Sequence, residues 1–593
     1  MLEQARQLLK KYYGYSAFRA GQEKIIASIL SGSDTLGIMP TGGGKSICFQ
    51  IPALMSSGTT LVISPLISLM KDQVDSLTAL GIPATYINSS LQPKQVAERL
   101  DAVGQNRYKL LYIAPERLES EQFVALLRSL PVSLLAVDEA HCVSQWGHDF
   151  RPSYLSIAKL IAELPSRPVV AAFTATATET VSKDIIKHLS LQAVNMFITG
   201  FDRENLSFSV IRGADKRDFL LKYIAQNKEQ AGIVYTATRK EVDNLYTFLK
   251  QKGFAVGKYH AGLSDSARAG SQDSFLYDNT RIMIATNAFG MGIDKSNIRF
   301  VIHYNMPKNM EAYYQEAGRA GRDGEPSECI LLFNPQDIQV QKFLIEQNQA
   351  APEHKAEGYK KLQAMVDYCH TPRCLRKFIL EYFGEKNVPE TCGTCGNCNF
   401  DGEVRDITVV AQKIFSCIRR MREMFGITLV AEVLKGSRNK KITQYRFNSL
   451  TTYGLLKEYT IKQITELIKV LVADGYMRMT ETQYPIVKLQ PKAIAVLKNE
   501  EKVFQRVEAQ RQPAAADDAL FALLRQLRKE ISEQEKVPPY VIFHDSTLRE
   551  LSERRPLTQG EFLTITGVGE RKLESYGPQF LTVIRQYVTG SEV

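Results

Sequence analysis

Short apolar runs alternate with stretches of helical spacing up to about residue 335 of the chain. TTLVISP, YKLLYIAP, SLLAVDEA and PVVAAFTAT each run into turn-forming or polar residues and predict buried strands. AGIVYTAT, TRIMIAT and RFVIHY repeat the pattern after residue 230. Strands separated by helices pair in parallel, so two such groups predict two α/β domains. In an open parallel sheet the ligand sits beyond the carboxyl ends of the strands, which is where the polar residues of these runs fall.

The pattern then changes. A mostly helical segment leads into a cysteine cluster, and residues 407–500 mix helical spacing with a strand-like end, YMRMTETQYPIVKL. EAQRQPAAADD, residues 508–518, is polar, rich in Ala and aperiodic, which predicts a flexible linker. The last 75 residues have helical spacing around one turn, TGVGERK, and no repeat appears beyond the two α/β halves.

At 593 residues and 66.7 kDa the chain exceeds what one hydrophobic core supports, so three to five domains are expected. A net charge of +10 suits a polyanionic partner without specifying one. No run is apolar enough for a membrane span, and MLEQARQLLKKYYG lacks the apolar stretch of a signal peptide. The expected location is therefore the cytosol, on the nucleoid. Nine cysteines are present, four of them within residues 374–398, and in a reducing compartment such crowding indicates metal rather than disulfides.

Chemistry concentrates in three strings. MPTGGGKS, residues 39–46, follows an apolar run and precedes a helix. Its glycines, Gly42, Gly43 and Gly44, let backbone N–H groups form a nest for phosphate, and the helix start adds partial positive charge. Lys45 would neutralise β- and γ-phosphates and Ser46 would ligate Mg²⁺. The strict phosphate-loop pattern has glycine where this chain has Met39, and glycine-rich turns also occur without phosphate. The second string, VDEAHCVSQWGHDFRPSY (137–154), delivers Asp138 to hold Mg²⁺ and Glu139 to polarise an attacking water. It also carries the only tryptophan, Trp146, with His148, Phe150, Arg151 and Tyr154 following. The third, YYQEAGRAGRDG (313–324), sets Arg319 and Arg322 three residues apart, on one face if helical, where they could stabilise transition-state charge on a γ-phosphate. Cys374, Cys392, Cys395 and Cys398 have a spacing that fits tetrahedral Zn²⁺ and occurs in iron–sulfur proteins too.

These strings, in this order and over nearly the whole chain, resemble superfamily 2 helicases, and more closely the RecQ family. YGYSAFRAGQEKII resembles the RecQ motif ahead of the phosphate loop, which implies that Tyr15 stacks on adenine while Arg19 and Gln22 contact the nucleotide. MPTGGGKS is the form the phosphate loop takes in this superfamily, with Thr41 in the nucleotide site, so Met39 is no obstacle. SPLISLMKDQV and APERL resemble DNA-backbone motifs, FTATAT the motif linking hydrolysis to movement, and ATNAFGMGIDKSNIRFVIHY and QEAGRAGRDG the last two helicase motifs. The resemblance implies that the loop after the acidic pair meets single-stranded DNA. Trp146, Phe150 and Arg151 then face bases and backbone, and His148 couples them to ATP. Aromatics suit that task, since stacking contributes roughly 1–3 kcal/mol per base without sequence preference.

The same resemblance settles the four cysteines on zinc and leaves Cys369 as a bystander, with Cys48, Cys142, Cys329 and Cys417 as ordinary thiols. It implies two RecA-like parallel-sheet lobes (1–199 and 200–335), then a helical zinc-binding domain (336–402) and a winged-helix domain (403–507). A linker (508–516) and a small all-helical HRDC domain (517–593) complete the chain. In the winged helix, Arg438, Lys440 and Lys441 form a basic loop that could meet duplex phosphates; in the HRDC domain, TGVG, Tyr540 and Lys572 are candidate DNA contacts. The expected activity is ATP-driven 3′ to 5′ translocation on single-stranded DNA with unwinding of duplex, forked or branched DNA in recombination and repair. A monomer is expected, with a single-stranded DNA-binding protein and a topoisomerase as candidate partners. Two other readings stay open: an RNA helicase on the same scaffold, and an ATP-gated DNA-binding protein that does not unwind.

Overall fold

Strands form where the apolar runs are continuous, because both faces of a parallel sheet are covered by helices. The computed structural model describes the whole chain except residues 89–90, 148, 213, 291–294, 348–351, 400–402, 481–484, 508–518 and 590–593. The expected linker and His148 therefore lie outside the described residues.

The first sheet has seven strands: β1 (Thr35–Ile38), β2 (Thr59–Ile63), β3 (Ala84–Ile87), β4 (Leu110–Ile113), β5 (Val132–Val137), β6 (Val169–Thr174) and β7 (Asn195–Ile198). Their order is β3-β4-β2-β5-β6-β1-β7, and every pairing is parallel. The order matters for the site. β5, β6 and β1 are neighbours, so the loops at their carboxyl ends emerge side by side. Those loops are the acidic pair, the FTATAT string and the glycine-rich turn.

The second sheet has six parallel strands: β8 (Leu206–Arg212), β9 (Ala231–Tyr235), β10 (Val256–Tyr259), β11 (Ile282–Ala285), β12 (Ile298–His303) and β13 (Ser327–Phe333). They run in the order β10-β11-β9-β12-β13-β8. Between β12 and β13 lies a helix, Met310–Ala317, whose N-cap Asn309 accepts from the Ala312 N–H. It stops at Ala317. Arg319 and Arg322 therefore come not from one helical face but from the irregular turn that follows, where Gly321 (φ +57°) and Gly324 (φ +91°) reverse the chain.

Helices Pro352–His370 and Leu375–Tyr382 follow and share a continuous apolar core with both lobes. Residues 403–507 have a core of their own, built on helices Thr408–Arg420, Ile427–Lys435 and Ile461–Ala473. The strand-like end becomes an antiparallel pair, Met477–Met479 with Val487–Leu489. Strands Glu403–Asp406 and Phe504–Val507, also antiparallel, bring the two ends of this unit together. The C-terminal unit is helical throughout its described part, from Ala519–Glu535 to Glu570–Thr589, around a third core. Among the described residues no helix is long and apolar enough to cross a membrane.

Candidate nucleotide and DNA site

A cavity of about 340 Å³ lies between the two sheets. Lobe 1 lines it with Tyr15, Arg19, Gln22, Thr41, Gly42, Gly44, Lys45, Ser46, Asp138 and Glu139, and lobe 2 with Arg319 and Arg322. Every nucleotide residue expected from the motifs thus faces one space, save Gly43, which lies within the same loop.

Local chemistry explains the shape of the phosphate loop. Gly42 (φ +77°) and Gly44 (φ +81°) adopt left-handed backbone that favours glycine, and a Cβ on Gly44 would stand 2.4 Å from Gln22 Nε2. Gln22 holds the loop by donating to Gly44 O at 3.0 Å, while Arg19 Nη1 donates to Gly42 O at 2.6 Å. Helix Lys45–Met55 begins directly afterwards, aiming its amino end at the cavity.

Glu139 also has left-handed backbone (φ +47°), a strained choice for a residue with a Cβ. Its Oε2 has no hydrogen-bond partner among the described residues and lies 3.4 Å from His141 Nδ1. Burial, then the charges of Lys45, Arg151 and Lys308, push the His141 pKa down to about 3, so the ring is neutral. His141 Nδ1 meets Thr174 Oγ1 at 2.9 Å, joining the acidic turn after β5 to the end of β6. The motif reading singled out neither residue as a site group, although both lie inside its strings.

Across the cleft, Arg319 is only 4% exposed, and its Nε has no hydrogen-bond partner among the described residues. Burial lowers its pKa. A guanidinium stays charged in proteins, so a buried one facing a cavity calls for an anion there. The turn that carries it is held by Arg203, which the motif reading missed. Arg203 donates to Ala320 O (3.0 Å), Gly321 O (2.6 Å) and, across the interlobe gap, Thr41 O of the phosphate loop.

The aromatic string is stapled to the acidic turn at both ends. Arg151 N–H donates to Cys142 O at 2.9 Å, and Tyr154 OH donates to Asp138 O at 2.9 Å. Tyr154 is fully buried and structural. Arg151 is half-buried, pairing with Asp149 at 3.2 Å and donating to Pro65 O at 2.8 Å; Phe150 is partly exposed. Trp146 is 37% exposed and packs against His354, with ring centroids 4.7 Å apart and planes inclined at 34°.

The sulfur atoms of Cys374, Cys392, Cys395 and Cys398 all lie within 4.8 Å of one another, with Cys374–Cys395 and Cys392–Cys398 at 3.9 Å. Tetrahedral thiolates about 2.3 Å from zinc would be about 3.8 Å apart, so the four fit that ion. Backbone N–H groups of Cys392, Cys395, Cys398 and Lys377 point at the sulfurs at 3.3–3.4 Å, as thiolates require. Cys369 is buried in the core outside this group.

Comparison with known proteins matches successive stretches of the chain to five families. Residues 19–184 match the DEAD/DEAH box helicase family, 215–324 the helicase conserved C-terminal domain, and 335–399 the RecQ zinc-binding family. Residues 401–514 match the RQC domain and 517–584 the HRDC domain. The chain is 52% identical over 99% of its length, and 99% of the relative's, to the ATP-dependent DNA helicase RecQ of Bacillus subtilis. It is 40% identical to the ATP-dependent DNA helicase RecQ of Haemophilus influenzae, covering 98% of this chain and 96% of that one. The chain belongs to the RecQ family of ATP-dependent DNA helicases.

Within this RecQ-family fold the HRDC domain stands somewhere the sequence reading did not put it. Tyr540, Val541, His544, Gly567 and Lys572 line the same cavity as the phosphate loop. The TGVG turn packs on lobe 1 so closely that a Cβ on Gly14 would stand 2.5 Å from the Val568 carbonyl carbon. On lobe 2, His544 Nδ1 meets Ser296 Oγ at 2.8 Å, Tyr277 OH donates to Lys536 O at 2.9 Å, and Arg549 pairs with Glu325 at 2.5 Å. Tyr540 and Lys572, expected to reach for DNA, thus face the nucleotide cleft, because the domain folds back across both lobes. Burial pushes the Lys572 pKa down to about 8. In the RQC domain, Arg438, Lys440 and Lys441 are all exposed.

Proposed function

We propose that ATP is hydrolysed in the interlobe cavity and that the cycle moves the protein 3′ to 5′ along single-stranded DNA, separating duplex, forked or branched substrates in recombination and repair. Tyr15 stacks on adenine, Arg19 and Gln22 hold the nucleotide, and Thr41 to Lys45 wrap the phosphates. Lys45 neutralises the β- and γ-oxygens, Glu139 orients the attacking water, and Arg319 and Arg322 stabilise charge on the transferring phosphoryl group. Mg²⁺ bound through Ser46 and Asp138 would neutralise the remaining phosphate charge. The observation that carries this reading is Arg319: a buried guanidinium from lobe 2 facing the cavity that Lys45 lines from lobe 1. An anion between them is attracted by both lobes at once, so gain and loss of the γ-phosphate can close and open the cleft.

Trp146, Phe150 and Arg151 are the DNA-facing set, with His148 as the coupling residue, and Arg438, Lys440 and Lys441 meet the duplex. Because the loop is tied to Asp138 and Cys142, a base that displaces Trp146 acts on the catalytic carboxylates through the backbone. Action as a monomer on the nucleoid, with a single-stranded DNA-binding protein and a topoisomerase as partners, completes the reading.

The test is steady-state ATP hydrolysis with and without single-stranded DNA, beside single-stranded RNA, together with duplex unwinding. Trp146→Ala is expected to lower the DNA-stimulated rate by about tenfold, the equivalent of losing roughly one stacked base. Equal losses with and without DNA would make the loop merely structural. Stimulation by RNA but not DNA would favour an RNA helicase, and hydrolysis without unwinding an ATP-gated binder. The HRDC placement adds a separate expectation. Lys572→Met should raise KM for ATP about fivefold at unchanged kcat, the loss of one charged contact made equally in ground and transition states. An unchanged KM would mean that the lysine does not touch nucleotide.

A further inference from the structure

We propose that Lys361 is a positioning residue that couples the aromatic loop of lobe 1 to the arginine turn of lobe 2, an inference that rests on the nucleotide and DNA roles given above. Lys361 lies on helix Pro352–His370 of the zinc-binding region, with only 14% of its side chain exposed. Its Nζ donates to the Trp146 carbonyl at 2.9 Å and lies 3.0 Å from Glu311 Oε1. One ammonium therefore touches the DNA-facing loop and lobe 2 from a third part of the chain. An ammonium has three donors and no acceptor, so it can serve a carbonyl and a carboxylate together.

Both ends of this contact are built. His354, seven residues before Lys361 and so on the same helical face, packs its tilted ring against the Trp146 ring. Trp146 is thus gripped by its ring and by its carbonyl from one helix. At the other end, the Glu311 side chain is only 5% exposed, and Lys361 is its ion-pair partner among the described residues. Neither Glu311 oxygen has a hydrogen-bond partner among the described residues, so the ion pair with Lys361 is what offsets its burial. Removing one partner of a buried pair leaves an uncompensated charge, so the position of Glu311 depends on Lys361.

Glu311 sits in the first turn of helix Met310–Ala317, and Arg319 follows the last. Eight residues of helix span about 12 Å, and this one is stiffened by Glu316 Oε2 on His303 Nε2 at 2.9 Å and by Tyr314 OH donating to Phe201 O at 2.7 Å. A shift at Glu311 is carried to the arginine turn as a rigid-body motion. When a base takes Trp146 from His354, the carbonyl contact to Lys361 changes, and with it the balance of forces on Glu311.

The experiment uses the full chain with zinc content verified, and three variants: Lys361→Met, which keeps the stem and removes the charge, Lys361→Arg, and Glu311→Gln. Because Trp146 is the only tryptophan, its emission reports the loop directly while ATPase reports the site. Lys361→Met is expected to lower DNA-stimulated hydrolysis at least about fivefold, with the DNA-free rate and KM for ATP within about twofold of wild type. Its emission should still change when DNA is added, since the ring contact with His354 is retained and only the link to Glu311 is lost. Glu311→Gln should lose stimulation likewise, and Lys361→Arg should keep most of it. Wild-type stimulation in Lys361→Met and Glu311→Gln would overturn the proposal, as would equal losses with and without DNA. A wild type that DNA does not stimulate at all would instead bring down the functional reading beneath it.

Discussion

Arg319→Ala is expected to lower ATP turnover at saturating DNA by about 10³-fold, the lower range for losing an arginine finger. The corresponding barrier is about 4 kcal/mol. The size follows from burial. The guanidinium is 4% exposed and cannot be replaced by solvent, so its charge would act on a bound γ-phosphate in a medium far less polar than water. Arg322 lies nearer the surface, on the rim of the same cavity, and its loss should cost less. Lys45→Ala should be as damaging as Arg319→Ala to hydrolysis. Both should leave single-stranded DNA binding without nucleotide largely intact, since Trp146, Phe150 and Arg151 lie on another loop. Steady-state hydrolysis and a fluorescence titration with labelled oligonucleotide decide the matter. Turnover of Arg319→Ala within tenfold of wild type would pass the finger role to Arg322, and joint loss of hydrolysis and DNA binding would refute the separation of roles.

Cys395→Ser is expected to abolish stoichiometric zinc and to lower the first thermal transition by about 10 °C, as structural zinc contributes folding free energy directly. The damage should also reach catalysis. The zinc loop grips the first strand of lobe 2: Gly396 N–H donates to Phe208 O at 2.8 Å, and Ser207 Oγ donates to Thr394 O at 2.8 Å. Arg376 pairs with Asp202 at 2.6 Å and donates to Leu206 O at 2.6 Å. Immediately beside these contacts stands Arg203, which holds both the arginine turn and the phosphate loop. Loosening the zinc loop therefore loosens Arg203, and hydrolysis should fall although none of the four clustered cysteines lines the cavity. Elemental analysis with a melting curve tests the first part. Unchanged zinc content would contradict the assignment, and full activity in a zinc-free variant would break the link to Arg203.

How much of this was legible beforehand depended on how local each determinant is. Strands β2, β4, β5, β6, β9, β11 and β12 stand out as apolar runs because each is almost wholly buried. β7 and β10 do not, since their residues are exposed or only half-buried, and β8 alternates. The zinc ligands could be read from spacing together with family resemblance, because three of them lie within one loop. The residues that line the interlobe cavity were legible for a similar reason: backbone conformation and side-chain chemistry are written in the same few residues, as in Gly42, Gly44 and Lys45.

Other features had no local signature. The helix before Arg319 ends two residues short of it, a boundary set by the turn that Arg203 and Asn205 hold from the far side of β13. The HRDC helices carry an ordinary amphipathic pattern that says nothing of where the domain docks. Its place over the cleft follows from shape, with Val568 and Gly569 against Gly14, and from scattered polar contacts such as His544 with Ser296. The sequence alone determined the chemistry of the loops and the family to which they belong, because bond-forming groups a few residues apart are kept together by the chain itself. Only the tertiary structure decided how those loops are coupled, through Arg203, Lys361 and the HRDC domain. Contacts between residues a hundred or more positions apart depend on how whole domains pack, which no short string encodes.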